Sequence, residues 1–97
     1  MSVRYIAGIA VGTEISLEDA KAIDFDNVIY SNWQPNDKLI FGEWLVKVDD
    51  YDGDTYIPLD DICFTQNDVN KIRAAWEKCF PERSQPILKK FFVYLID

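Results

Sequence analysis

Histidine does not occur in this 97-residue chain. Its absence excludes imidazole-driven nucleophile activation and general-base chemistry by histidine at neutral pH. Cysteine is almost as scarce, with only Cys63 and Cys79 and no CxxC spacing. A zinc site of Cys and His is thereby excluded, and the pair reads as two buried free thiols. No apolar run reaches the roughly 20 residues of a membrane-spanning helix. The opening MSVRYIAGIAVG has one Arg and a short apolar run, without signal-peptide architecture, so the expected location is cytoplasmic. Gly8 and Gly12 lack the GxGxxG spacing and no Walker lysine follows, so no cofactor is expected.

Positive charge is also in short supply. Ten Lys and Arg face seventeen Asp and Glu, a net charge of −7. Residues 14–68 hold fourteen of the acids and three bases, whereas residues 69–97 hold six bases and three acids. Phosphate binding needs Lys and Arg, so the acidic segment does not bind nucleic acid. It is steered toward basic partners.

Apolar and aromatic residues are abundant. Hydrophobic content is 48%, with three Trp, five Tyr and six Phe. That composition excludes a disordered chain, and the length fits one domain, 1–97, able to bury a core of its own.

The densest signal lies in residues 44–61, WLVKVDDYDGDTYIPLDD. Asp52-Gly53 between alternating apolar runs predicts a two-residue hairpin turn, because such a turn needs positive φ at both positions. The register then sets Asp49 against Tyr56, Val48 against Ile57 and Val46 against Leu59. Trp44, Val46, Val48, Ile57 and Leu59 fall on one face as core. Asp49, Tyr51, Asp54, Tyr56 and Asp60 fall on the other. Pro58 has no N–H to donate, which marks its strand as an edge.

The same residues carry a second pattern. Residues 50–61, DYDGDTYIPLDD, resemble a calcium loop of the EF-hand and dockerin type, with acids at loop positions one, three, five and twelve and Ile at eight. The resemblance implies Ca²⁺ held by Asp50, Asp52, Asp54 and Asp61 with the Tyr56 carbonyl, since Ca²⁺ takes six to eight oxygens. Thr55 stands where such loops have Gly, Asp61 stands where EF-hands have Glu, and the run before the loop, LIFGEWLVKV, reads as a strand.

Elsewhere, 1–11 reads as a strand, with a break at Gly12-Thr13. Ser16-Leu17-Glu18-Asp19 starts a short helix over 17–23, its Ser hydroxyl capping and its acids suiting the helix dipole. Val28-Ile29-Tyr30 is a strand. Residues 31–37 form a loop by composition, in which Trp33 either folds over the core edge or serves as a binding anchor. Residues 38–48 are the first hairpin arm, with a bulge expected at Gly42. Thr65-Gln66-Asn67-Asp68 is a variant capping box opening the main helix. Val69, Ile72, Trp76, Cys79 and Phe80 form its buried stripe, and Pro81 ends it. Residues 86–96 read as a strand apolar on both faces, which predicts a central strand, a partner site or a homodimer seam through Phe92, Tyr94 and Ile96.

The order strand–helix–strand–strand–strand–helix–strand resembles a ferredoxin-like plan with an added hairpin strand, a two-layer α+β fold with both helices on one face of a mostly antiparallel sheet. The expected function is binding, not catalysis. A small acidic inhibitor would set Asp49, Tyr51, Asp54, Tyr56 and Asp60, with Trp33, on a basic surface. That surface would be the nucleic-acid channel of a nuclease or CRISPR effector, or a toxin active site. In composition such a chain is similar in kind to the anti-defence and immunity proteins of phage and mobile elements. Solubility alone also accounts for an acidic surface.

Overall fold

Twelve residues, Tyr5–Ser16, form strand β1, on which the sheet of this protein is assembled. The computed structural model describes residues 5–23, 25–29, 38–49 and 56–96. After β1 come helix α1 (Leu17–Lys21), the short strand β2 (Val28–Ile29), strand β3 (Lys38–Asp49), helix α2 (Gln66–Cys79) and strand β4 (Lys89–Ile96). Short 3-10 turns occupy Phe25–Asn27 and Leu59–Asp61. The fold is α+β, and the described residues form one open four-stranded antiparallel sheet in the order β2-β3-β1-β4 with two helices.

Alternation along β1 builds two apolar layers. Val11 and Ile15 point to one face and join Val28, Leu39 and Phe41. The helices cover that face with Ala20 of α1 and Ile72 and Trp76 of α2, followed by Phe80. Phe41 is fully buried, with its ring 5.3 Å from Trp76 and 5.9 Å from Phe80, both edge-on. The indole N–H of Trp76 donates to the Ser84 carbonyl at 3.1 Å, so this half-polar side chain is buried without an orphaned donor. The opposite face holds a smaller cluster of Ala10, Ile29 and Val93, with Ile40, Trp44, Phe91 and Leu95 packed against it.

Both helix starts follow their local chemistry. The Ser16 hydroxyl accepts from the Asp19 N–H at 3.1 Å, and Glu18 and Asp19 sit in the first turn of α1. At α2 the Thr65 hydroxyl accepts from the Asp68 N–H at 3.3 Å, while the Asp68 carboxylate accepts from the Thr65 N–H at 2.9 Å. Of the expected stripe, Ile72, Trp76 and Phe80 are buried while Val69 and Cys79 are half-buried, and α2 stops before Pro81.

Several expectations are corrected. Gly12-Thr13 is no break, because β1 runs through it. Gly12 lies opposite Gly42, and a Cβ on Gly42 would meet the Val11 carbonyl and stand 2.7 Å from the Gly12 Cα. The glycine pair therefore permits a close strand crossing where loop chemistry was expected.

The second hairpin arm is not a strand. Tyr56–Pro58 are irregular, and Leu59–Asp61 curl into a 3-10 turn closed by the Ile62 N–H on the Leu59 carbonyl at 3.0 Å. Strand β3 takes its long antiparallel partner from β1 instead, and among the described residues β2 pairs with its other edge at Ile40 and Phe41. Twelve residues of matching alternation in β1 outcompete a five-residue arm interrupted by Pro58. The turn itself, Asp50 to Thr55, lies outside the described residues, as does Trp33.

The bulge forms three residues after Gly42. Ile9 pairs with Val46 and Ala10 with Trp44, so Leu45 is the extra residue. That insertion puts Trp44 on the face opposite Val46 and Val48, where the even alternation had them together. Its indole lies over Gly8, where an added Cβ would stand 2.9 Å from the ring.

Strand β4 is an edge, not a central strand, paired only with β1 among the described residues. A ferredoxin-like sheet sets its two middle strands parallel, whereas β1 and β3 are antiparallel. Among the described residues that orientation is the difference from the plan.

Candidate interaction surface

Among the described residues the helix side of the sheet is only partly covered. Helix α2 lies over Val11, Ile15 and Phe41, and the start of β1 with its β4 partners extends past it. On this helix-side face Ile9 pairs with Phe92 and Ala7 with Tyr94. Phe92 is 73% exposed and Tyr94 57%, and the Tyr94 ring stacks on that of Tyr5 at 6.2 Å. An aromatic strip thus stands in solvent where a strand paired on one side and apolar on both faces runs out of cover.

The segment after β3 borders this strip. Ile62 is buried, and with Leu59, Ile9, Lys90, Phe91 and Phe92 it lines an open cleft of about 210 Å³. Lys90 Nζ donates to the Ile62 carbonyl at 3.4 Å, tying the segment to β4. Leu59 is 73% exposed and Tyr56 95% exposed, so two residues expected in or beside a strand ladder stand free of one.

Of the expected binding residues, the structure places three. Asp49 ends β3 opposite Ile6, on the sheet face away from α2. Tyr56 and Asp60 are exposed on the segment that leads to the cleft. Asp49 and Tyr56 are therefore not cross-strand neighbours, and the single acidic hairpin face is not formed by these three. Tyr51, Asp54 and Trp33 lie outside the described residues.

The calcium-loop pattern is likewise only partly in view, since Asp50, Asp52 and Asp54 and the side chain of Asp61 lie outside the described residues. The chain enters it from strand β3, where an EF-hand has a helix, and leaves it through a 3-10 turn. Among the described residues no group of three His, Cys, Asp or Glu is placed to hold a metal ion.

Both cysteines are free, but Cys63 is exposed and Cys79 half-buried, which corrects the expectation of two buried thiols. No described helix is long and apolar enough to cross a membrane.

Two carboxylates are held below the ordinary range. Asp19 is held there by hydrogen bonds from the Arg83 guanidinium, Asp68 by the Thr65 N–H and hydroxyl. Both belong to helix starts, so they report on the frame and not on a reactive site.

Two exposed residues of this surface carry no binding signal in the sequence: Tyr5 falls within the strand expected over 1–11, and Leu59 falls on the expected core face of the hairpin. A signal of exposure existed for Leu59: it follows a proline in a run that a strand cannot use on both edges. No protein-family model, curated protein or solved structure matches the chain.

Proposed function

We propose that this protein acts by binding, as a small acidic inhibitor that occludes a basic surface on a partner protein. The observation that carries the reading is the exposure of Tyr56 (95%) and Leu59 (73%) next to the exposed carboxylate of Asp60. Aromatic and apolar side chains presented beside acids are what a docking surface for a basic, partly apolar groove requires. The uneven charge supports the same reading, with fourteen acids and three bases in residues 14–68. Carboxylates there stand in for phosphates, and electrostatics sets encounter rate and partner choice more than raw affinity. The partner class is a nuclease, a CRISPR effector or a toxin, and the source is a phage or mobile element. No turnover is assigned to the chain.

The test uses the full chain as bait against lysate, at low and high salt, with and without duplex DNA as competitor. The expected result is a nucleic-acid-binding protein that is captured at low salt and displaced by DNA. Asp49→Asn/Asp54→Asn/Asp60→Asn and Tyr56→Ala/Leu59→Ala each lose it. Capture that ignores salt, DNA and both variants overturns the reading.

A further inference from the structure

Strand β4 (Lys89–Ile96) has β1 on one side and, among the described residues, no strand on the other. Edge strands in soluble proteins are normally blunted by brevity, proline, bulges or charge, because a row of free N–H and C=O groups is a template for another strand. Strand β4 carries few such devices. It is eight residues long, regularly paired with β1 and free of proline, and its only charges, Lys89 and Lys90, sit at one end. Between them and Ile96 runs Phe-Phe-Val-Tyr-Leu.

We propose that β4 is a self-pairing edge: two copies of the chain join β4 to β4 antiparallel about a twofold axis at Val93, making one continuous sheet across both copies. A twofold normal to the sheet keeps equivalent faces together and pairs residues of like orientation. Centred on Val93, it sets Phe92 opposite Tyr94 of the second copy and Phe91 opposite Leu95. Lys90 comes opposite position 96. The strand is close to palindromic in character about this centre, with aromatics at 92 and 94 and large apolar residues at 91 and 95.

Three consequences favour a second copy as the occupant. On the helix-side face, Phe92 and Tyr94, 73% and 57% exposed in the single chain, become reciprocal cross-strand pairs flanked by the Tyr5–Tyr94 stacks. On the other face Phe91 and Leu95 extend the cluster around Val93 across the seam. The lysines of the two copies lie at opposite ends, so no like charges meet. The seam adjoins the Tyr56–Leu59–Asp60 segment at the cleft that Leu59 shares with Phe92, and it is read by oligomer mass, whereas the inhibitor reading is read by capture of a partner.

Sedimentation velocity and light scattering on the full chain test it, with circular dichroism and melting temperature confirming the fold of each variant. The wild type is expected to show a concentration-dependent dimer mass. Phe92→Lys/Tyr94→Lys sets lysines against lysines across the seam and is expected to abolish the dimer. Phe92→Lys/Tyr94→Glu sets Lys against Glu in the same register and is expected to retain it. Both positions are exposed, so folding is expected to survive. A wild type that stays monomeric at millimolar concentration overturns the proposal. So does a dimer indifferent to the double lysine change, a dimer lost equally in both variants, or assembly beyond the dimer.

Discussion

Arg83 grips Asp19 with two parallel hydrogen bonds of 2.8 Å, across 64 residues of sequence. The same guanidinium lies 4.7 Å over the ring of Phe80. One side chain thus pins the start of α1, the turn after α2 and the edge of the core to one another. Planar, bidentate geometry is what arginine offers and lysine does not. Asp19→Asn and Arg83→Lys are each expected to lower the melting temperature. The double variant is expected to fall no further than the worse single one, because both remove the same contact. Additive losses in thermal unfolding would show that the two residues act separately.

Acid should weaken the fold through the same carboxylate and through Asp68. Both are held below the ordinary value of 3.8, Asp19 mainly by Arg83 and Asp68 mainly by Thr65. A carboxylate with a depressed folded pKa contributes stability that is fully present above its unfolded pKa. That contribution is lost as pH falls through 3.8 toward the lower folded values. Asp19→Asn/Asp68→Asn is therefore expected to melt below the wild type at neutral pH, with the two curves converging in acid. Arg83 is shifted upward by its hydrogen bonds to Asp19, beyond any working pH, and adds no slope of its own. A gap that stays constant down to acid pH would contradict the assignment.

The helix cap offers a cleaner magnitude. Thr65→Ala removes the hydroxyl that accepts from the Asp68 N–H. Loss of such a cap costs about 1 kcal/mol, measurable as a shift of the urea midpoint at unchanged slope. Thr65→Ser is expected to keep most of the stability, since the hydroxyl remains.

In the core, Phe41→Ala empties a fully buried site against Trp76 and Phe80. The expected loss is about 3–5 kcal/mol, a large part of the roughly 5–15 kcal/mol available to a domain. Urea unfolding followed by circular dichroism measures it. A loss under about 2 kcal/mol would mean that the cavity collapses.

Gly42→Ala separates two views of the glycine pair by sign. At an ordinary strand position alanine for glycine stabilises by about 0.5–1 kcal/mol. Here the added Cβ runs into the Val11 carbonyl and stands 2.7 Å from the Gly12 Cα. Destabilisation of about 1–3 kcal/mol or more is expected from such overpacking. An unchanged or raised melting temperature would show that β1 and β3 can separate there at little cost.

The sequence by itself determined what depends on neighbours a few residues apart. Ser16 and Thr65 mark their helix starts because a cap needs only an oxygen within one turn of backbone donors. Ile72, Trp76 and Phe80 declare a buried stripe because helical spacing repeats it. The two-sided apolarity of β4 was legible for the same reason, and so was its shortage of cover. Tertiary structure alone decided which strand pairs with which. Asp52-Gly53 is a local turn signal, but β3 found its long partner in the distant β1, and residues 56–59 of the expected arm stand off the sheet. That choice sums over many cross-strand contacts, which no short window contains. It placed the bulge at Leu45, moved Trp44 to the far face over Gly8, and exposed Tyr56 and Leu59. The residues now proposed for binding are those the local pattern had assigned to a ladder, because pairing energy is settled between distant segments and only the segments left unpaired remain for a partner.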